Sequence, residues 1–204
     1  MRTGLFGGAF DPVHNGHLHV ARTALEGARL DRVIFLPSGL SPHRHKRTLS
    51  PGRVRLDMLR LAVRGEPRFS VSDLELRRGG TSWTIDTVRA FRAELPEDEL
   101  FFVIGGDSLA DLPRWRMADE LVREIAFVTV SRPGFDAESV LRSLPFPPPV
   151  VAALRKGVIH APLLDISSTE VRRRAARGEP LAGLVPPAVE EYIRRNRIYE
   201  SEER

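Results

Sequence analysis

Residues 4–22 read GLFGGAFDPVHNGHLHVAR, and this stretch decides the fold because a glycine-rich turn joins a strand pattern to a helix pattern. The apolar run at residues 2–6 predicts a short buried strand that ends at Gly7 and Gly8. Beyond the turn, apolar residues at positions 18, 21, 25 and 28 recur with the helical period, so residues 16–28 predict a helix. A strand, a turn and a helix in this order are typical of the start of a βαβ unit.

The turn carries the residue types that a phosphate site needs. Gly7 and Gly8 let a ligand approach the backbone, where exposed N–H groups can hold phosphate oxygens. His14 and His17 are three residues apart, so both can face one side of the first turn of a helix whose N-terminus is partially positive. This combination indicates a polyphosphate site. The alternatives are a tight turn with solvated histidines, or a zinc site that includes His19, for which no carboxylate at a fitting spacing is present.

The rest of the chain alternates strand and helix patterns. Further strands are predicted at residues 32–39, 69–76, 99–107 and 125–134. Further helices are predicted at residues 51–63, 84–95, 168–178 and 186–198, the third with Ser168 as its N-cap. The proline-rich segment 144–150 predicts a loop or short linker. This alternation predicts an α/β fold with a mostly parallel sheet and ligands at the carboxyl ends of its strands.

The composition restricts the class of protein without choosing one. The chain has 204 residues, a formal net charge of +4 and no cysteine. Without cysteine there can be no disulfide, cysteine zinc site or thiol nucleophile, and a cytoplasmic location is expected. The mild positive charge suits anionic partners such as nucleotides or nucleic acid. No signal-peptide pattern and no apolar segment of the roughly 18 residues that a membrane helix needs is present, so we expect no membrane partner.

A second anion site is indicated near the other end of the chain. The stretch ISSTEVRRR (166–174) places Ser167 and Ser168 at a predicted helix start, and Arg172 follows Ser168 by one helical turn. Hydroxyl groups, a helix N-terminus and a guanidinium on one side would together bind an anion. The alternative is an ordinary capped helix with a solvated arginine face.

The two motifs carry a family resemblance. GGAFDPVHNGHL resembles the nucleotide-binding motif of the nucleotidyltransferase superfamily, which class I aminoacyl-tRNA synthetases share, and ISSTEVRRR resembles the C-terminal phosphate motif of that superfamily. The segments GGTSWTIDT, FFVIGGDSLADLPRW, VSRPG and LVPPAVEEYI then resemble, in order, the bacterial nicotinate mononucleotide adenylyltransferases. The resemblance implies a Rossmann-like sheet with helices on both faces in a single domain, 1–204, whose small C-terminal helical part begins at about residue 166. It also implies synthesis of nicotinate adenine dinucleotide (deamido-NAD) and pyrophosphate from ATP and nicotinate mononucleotide, a step of NAD biosynthesis.

The resemblance and the residues together nominate a site. We expect His14, His17 and Arg172 to be catalytic, by stabilising phosphate charge. The residues expected to bind ATP and its phosphates are Gly7, Gly8, Ala9, Phe10, Lys46, Ser167 and Ser168. The loop SPHRHK departs from the Pro-Pro-His-Lys of the family, so either Arg44 or Lys46 takes the place of the family lysine. Mg²⁺ is expected to enter with ATP, held mostly by phosphates and water rather than by a dedicated protein site.

Three further residues are expected to bind the mononucleotide. By resemblance, Trp115 stacks on the pyridine ring, and Thr84 with nearby backbone N–H groups meets the carboxylate. Asp107 follows a buried strand, where a carboxylate suits ribose hydroxyls, although it could instead cap the helix that follows. Either tryptophan could instead be part of the core. Because the tripeptide SWT (82–84) contains donors and no acidic residue, the sequence predicts a preference for nicotinate over nicotinamide mononucleotide.

Two other functions compete with this one. The nearest alternative is another adenylyltransferase or cytidylyltransferase of the same superfamily that uses a different phosphate acceptor. The remote alternative is a basic nucleic-acid-binding module, although the basic residues are dispersed and no recognition motif is present. A synthetase is disfavoured because 204 residues leave no room for tRNA-binding domains. The oligomeric state does not follow from the sequence.

Overall fold

In the computed structural model, which describes residues 1–39, 49–131, 134–162 and 164–200, six parallel strands form one sheet. In chain order the strands are β1 (Arg2–Gly8), β2 (Arg32–Pro37), β3 (Phe69–Val71), β4 (Glu99–Gly105), β5 (Ala126–Ser131) and β6 (Val158–His160). Their spatial order is β3-β2-β1-β4-β5-β6, so the chain builds outward from β1, returns to the middle and builds outward again from β4. This doubly wound order places a ligand crevice between β1 and β4, where the winding reverses.

The strand pairing opens that crevice. Residues 3–8 of β1 pair with residues 32–37 of β2, along the whole of that strand. On the other side, β1 pairs with β4 only over residues 2–5 and 99–102, although both strands continue further. The carboxyl ends of β1 and β4 therefore separate, and the residues that follow them line a shared space.

The helices cover both faces of the sheet. They are α1 (Asn15–Gly27), α2 (Gly52–Val63), α3 (Leu74–Arg78), α4 (Thr84–Glu94), α5 (Gly106–Asp111), α6 (Ala118–Glu124), α7 (Ala137–Ser143), α8 (Pro148–Lys156), α9 (Ser168–Ala176) and α10 (Pro187–Arg195), with a 3₁₀ turn at Leu112–Arg114. Alternate strand residues enter different cores: Phe6 packs with α1, α2, α9 and α10, whereas Leu5 packs with α4, α6, α7 and α8. Because apolar groups must be buried on both faces, the strands are continuous hydrophobic runs. The predicted fold class is confirmed.

Four local predictions need correction. The segment 69–76 is a strand only over β3, because the chain then turns and buries Leu74 at the start of α3. The proline-rich segment 144–150 is not all loop, since Pro148 begins α8, where a missing N–H is harmless. Ser167, not Ser168, is the N-cap of α9. Gly7 and Gly8 belong to β1 and pair with β2, rather than ending the strand before them.

Strand β6 and the short helices α6 and α7 also lie outside the sequence prediction. Strand β6 has only three residues and is partly exposed, so it gives no strong periodic signal. The single-domain assignment stays a prediction, although α9 and α10 bury Val171, Val189 and Ile193 in the same core as α1 and α2. Within the ranges described, no helix is both long and apolar enough to span a bilayer.

Candidate active site

Two cavities lie side by side at the carboxyl ends of the strands and share Gly105, the last residue of β4. The first, of about 340 Å³, is named here the His cavity; its walls include His14, His17, Gly106, Asp107, Ile166 and Ser167. The second, of about 250 Å³, is named the Trp cavity; its walls include Gly7, Gly8, Ala9, Ser38, Glu75, Ser82, Trp83, Thr84 and Trp115. The crevice predicted at the switch in strand order is therefore present as two adjoining spaces.

The two histidines stand together at the start of α1. His14 is the N-cap residue, and the rings of His14 and His17 stack with their centroids 3.7 Å apart. The backbone N–H of His14 donates to Nδ1 of His17 at 3.2 Å. Since Nδ1 accepts, a neutral His17 carries its proton on Nε2, where it can donate to a ligand. Helix α1 begins at Asn15, which lies between the two histidines in sequence. Its partially positive N-terminus is therefore part of the same wall.

His14 is buried and differs from the expected phosphate cation. Only 6% of its surface is exposed, and burial lowers the pKa of its imidazole from 6.5 to about 4. At neutral pH the ring is therefore uncharged, because the burial penalises the charged form. His14 can orient His17 and take part in hydrogen bonds, but before a ligand binds it does not contribute a positive charge.

The two sequence motifs are joined by hydrogen bonds. Ser168 Oγ donates to the carbonyl of Pro12 at 3.0 Å, and Arg172 Nη1 donates to the carbonyl of Asp11 at 2.6 Å. Ser167 caps α9 by accepting from the N–H of Glu170 at 3.2 Å, and it lines the His cavity. The first turn of α9 therefore lies against the segment that leads into α1, which brings two helix N-termini, the kind of group that attracts anions, to one crevice.

The other nominated residues fall on both sides of the crevice. Asp107 lies in the first turn of α5 and faces the His cavity, whereas Thr84 and Trp115 line the Trp cavity. The cap of α5 is Gly105, so Asp107 is not the N-cap. Phe10 is almost fully buried, and its ring packs edge-on against that of His17 at 5.0 Å. Phe10 thus supports the histidine pair from the core and is not on a cavity wall.

The Trp cavity is lined by aromatic rings and by the N-terminus of α4. The ring of Trp115 packs edge to face against the ring of Phe102, with the centroids 6.0 Å apart. Arg116 places its guanidinium 5.2 Å from the ring of Trp83. Thr84 is the first residue of α4, where the backbone N–H groups have no partner within the helix. A flat ring with an anionic substituent fits such walls.

Glu75 is an acidic group in the Trp cavity that the sequence analysis missed. It is 6% exposed, its carboxylate accepts from Thr87 Oγ1 at 2.7 Å, and burial raises its pKa. The tripeptide at 82–84 contains no acid, but the fold brings one in from α3. The sequence did not reveal this residue because its alternating pattern over 69–76 predicts a strand, and Glu75 instead lies on helix α3.

Arg55 is a second missed residue. It is 3% exposed and donates three hydrogen bonds to carbonyls, to Ala9 at 2.8 Å, Ser38 at 2.7 Å and Ser50 at 2.9 Å. These bonds tie the loop after β1 to the loop after β2. The sequence did contain a signal: Arg55 precedes the core residues Met58 and Leu59 by three and four positions, so a charge falls on the buried face of α2.

Some nominated residues cannot be placed. Lys46 and Arg44 lie outside the described residues, as do Arg132 and Pro133 of the VSRPG motif. In the part of the chain that is described, no group of three or more histidine or acidic residues could hold a metal ion, so the zinc alternative gains no support there. The roles assigned to individual site residues stay predictions.

The fold and the two joined motifs define a nucleotidyltransferase, and the cytidylyltransferase-like family matches residues 5–174. Proteins named "probable nicotinate-nucleotide adenylyltransferase" are 43% identical in Thermus thermophilus (199 residues, 98% of this chain and 100% of the relative) and 38% identical in Clostridium tetani (197 residues, 96% and 97%). The chain belongs to the nicotinate-nucleotide adenylyltransferase family.

Solved structures agree on the fold. The Plasmodium falciparum nicotinic acid mononucleotide adenylyltransferase complexed with NaAD matches with a TM-score of 0.77 at 21% identity, over 97% of each chain. The same enzyme complexed with APC matches with a TM-score of 0.75 at 20% identity, over 97% of this chain and 96% of the other.

Proposed function

We propose that the protein transfers the adenylyl group of ATP to nicotinate mononucleotide, giving nicotinate adenine dinucleotide and pyrophosphate. The observation that carries the proposal is the meeting of two chemically different cavities at Gly105, with the histidine pair on one side and the aromatic walls on the other. Relatives of nearly the same length, 38–43% identical, carry the name of this activity. Other phosphate acceptors remain the alternative that the first experiment addresses.

The His cavity suits ATP. Its wall combines the N-terminus of α1, the donor at His17 Nε2 and the cap of α9. Arg172 on α9 bonds to the segment that leads into this wall. These groups are fixed before substrate arrives, and preorganised donors stabilise the charge that develops on departing pyrophosphate. Asp107 is expected from the sequence to bind the mononucleotide, but it lies on this wall and not in the Trp cavity, so we assign it to the ribose hydroxyls of ATP.

The Trp cavity suits the mononucleotide. The Trp115 ring can stack on pyridine, while Thr84 and the first N–H groups of α4 can donate to the nicotinate carboxylate. With the ring in this cavity, the phosphate of the mononucleotide is directed toward Gly105 and the neighbouring site. Gly7 and Gly8, expected from the sequence to bind ATP, line this cavity instead, and they leave room for the phosphate of the mononucleotide because they present no side chain.

The reaction needs positioning more than proton transfer. The second pKa of a phosphate monoester is about 6, so the attacking phosphate is largely dianionic at pH 7 and no general base is required. Its oxygen attacks the α-phosphorus in line, the bond to pyrophosphate breaks, and the leaving group departs with its electron pair. Holding two anionic reactants in place can lower the barrier by about 7–11 kcal/mol.

A divalent metal accompanies ATP in this proposal, and Mg²⁺ is the ion assigned. The polar groups of the His cavity are mainly nitrogen and hydroxyl groups, with Asp107 and Asp165 as its carboxylates, and they form no closed set of protein ligands, which fits an ion held largely by phosphates and water. When bound, the ion supplies charge neutralisation to the triphosphate. A cytoplasmic location stays a prediction.

The decisive experiment incubates the protein with ATP and Mg²⁺ plus one phosphate acceptor at a time. Nicotinate mononucleotide, nicotinamide mononucleotide and a panel of other phosphate monoesters are compared by pyrophosphate release and mass spectrometry of the product. We expect nicotinate adenine dinucleotide to form fastest. A faster reaction with an unrelated phosphate monoester would assign the protein to another nucleotidyltransferase activity. For the metal, product formation should stop when a chelator removes divalent ions and should recover when Mg²⁺ is added.

A further inference from the structure

The C-terminal segment after α10 contacts the loop between β1 and α1 through one hydroxyl group. Tyr199 Oη donates to Asp11 Oδ1 at 2.6 Å across 188 positions of sequence. The chain reaches this position through two residues in the left-handed region, Arg197 at φ 51° and Tyr199 at φ 72°. Residues other than glycine rarely adopt this region; at Arg197 it is the common conformation just beyond a helix end, so Tyr199 is the position that the end of α10 does not explain. The contact is therefore a candidate for a role beyond packing.

Asp11 is where that hydroxyl acts. The residue is 1% exposed, and its second carboxylate oxygen accepts from the N–H of Ser50 at 3.3 Å. Its carbonyl oxygen accepts from Arg172 Nη1 at 2.6 Å. One residue thus connects the C-terminal segment by its side chain to the nominated phosphate-binding arginine by its backbone. Burial and the neighbouring Asp11 carboxylate raise the pKa of the Tyr199 phenol, which keeps the donor proton in place.

We propose that Tyr199 is a positioning residue for adenylyl transfer: its hydroxyl fixes Asp11, and the Asp11 carbonyl in turn holds the guanidinium of Arg172 against the segment that leads into the His cavity. The inference rests on the proposed function, because it gives Arg172 the task of stabilising phosphate charge. A shift of Asp11 would move the carbonyl that Arg172 bonds to. The adjacent Pro12 carbonyl, which accepts from Ser168, would move with it.

The chain supplies a matched control. It contains two tyrosines, and the other, Tyr192, also donates its hydroxyl to a carboxylate, Asp57 Oδ2 at 3.4 Å, away from both cavities. Steady-state kinetics of Tyr199→Phe and Tyr192→Phe therefore compare the loss of one hydroxyl in two settings. We expect kcat to fall about tenfold in Tyr199→Phe, equivalent to about 1.4 kcal/mol of barrier. We expect the KM for the mononucleotide to change less than twofold, and Tyr192→Phe to stay within twofold of the unmodified protein.

A double-mutant cycle separates positioning from a merely structural role. If Tyr199 acts through Arg172, adding Tyr199→Phe to Arg172→Ala should change kcat less than twofold, because the group it positions is gone. If the tenfold loss persists in the Arg172→Ala background, the proposal is wrong. It is also wrong if folded Tyr199→Phe retains full kcat.

A second measurement does not depend on turnover. In the Tyr192→Phe background, biosynthetic 3-fluorotyrosine labels Tyr199 alone, and its ¹⁹F resonance reports on the hydroxyl environment. We expect Arg172→Ala to shift this resonance and Arg155→Ala, which removes the exposed pair with Glu138, to leave it unchanged. An unshifted resonance in Arg172→Ala would overturn the link. If the unmodified protein makes no dinucleotide, the proposed function fails while this measurement still tests the link.

Discussion

The two cavities that meet at Gly105 differ in how their walls are held. In the His cavity region, the contacts Ser168–Pro12, Arg172–Asp11 and Tyr199–Asp11 join residues 156 to 188 positions apart by directional hydrogen bonds. In the Trp cavity, Arg55 also holds Ala9 and Ser38 by hydrogen bonds, but the ring of Trp115 itself packs edge to face against Phe102 and Phe127, contacts that are non-directional by comparison. Phosphate charge must be met by donors at fixed positions, whereas a flat ring needs a surface of the right shape. We therefore expect damage on the His side to reduce turnover, and damage on the Trp side to change affinity and specificity.

The largest expected effect is on the His side. His17→Ala should fold and lose about 10²–10³ in kcat, the loss typical of removing one donor to developing charge. Two conservative variants sharpen this prediction: Gln can present an N–H near the position of Nε2, whereas Asn can replace only the Nδ1 acceptor. Turnover should therefore be higher in His17→Gln than in His17→Asn, measured by pyrophosphate release. The reverse order would mean that His17 serves the backbone of His14 and not the substrate.

The next effect concerns the Trp side. Two charge-assisted hydrogen bonds to the nicotinate carboxylate give about 2–3 kcal/mol of preference, or about 30–150-fold in kcat/KM over the amide. Thr84→Val should reduce this ratio, since it removes a donor while keeping the shape. Trp115→Ala should raise the KM for both mononucleotides alike, because stacking does not involve the carboxylate. Equal kcat/KM values for acid and amide in the unmodified protein would contradict the assigned pocket.

A change at Arg172 should separate the two substrates. We expect Arg172→Ala to lower kcat/KM for ATP about 10–100-fold while the dissociation constant of the mononucleotide, measured by calorimetry, changes little. Lys should restore part of the loss, since it keeps the charge but not the forked geometry. Arg173→Ala is the matched control on α9, because Arg173 pairs with Glu170 at the surface. Similar weakening of both substrates would indicate that α9 is only structural.

The smallest effect is a pH dependence on the Trp side. Burial raises the pKa of Glu75, so this carboxyl takes up a proton at a higher pH than an ordinary glutamate. As the pH falls through that raised pKa, the negative charge facing the substrate carboxylate disappears, and the preference for acid over amide should increase a few-fold. In Glu75→Gln the preference should be higher at pH 8 and lose this pH dependence. A ratio of kcat/KM values at pH 8 that is the same in Glu75→Gln and in the unmodified protein would contradict a role for Glu75 in specificity.

Glu75 is the residue of the Trp cavity that the sequence analysis did not predict, and its position shows the limit of reasoning from local patterns. Alternation over residues 69–76 fits a strand, but only Phe69–Val71 have a neighbour, in β2, with which to pair. Beyond them the chain folds into α3, since Leu74 can then be buried against the core. The periodicity of a segment does not show how many of its residues find a strand to pair with. It therefore could not show that Glu75 leaves the sheet and lines the same cavity as Trp83 and Thr84.

The sequence alone determined that the fold is α/β with a mostly parallel sheet, and it contained the two motifs and the family resemblance, because strand and helix periods, glycine-rich turns and capping residues are local properties of the chain. Only the tertiary structure decided that Asp107 faces the His cavity while Thr84 and Trp115 face the other one. It also decided that His14 is neutral at neutral pH. Arg55 joins the loops after β1 and β2 by hydrogen bonds, and Tyr199 bonds to Asp11 in the first of these loops. The physical reason is that burial and long-range hydrogen bonds depend on segments distant in sequence, and the pattern of any one segment contains no information about its partner.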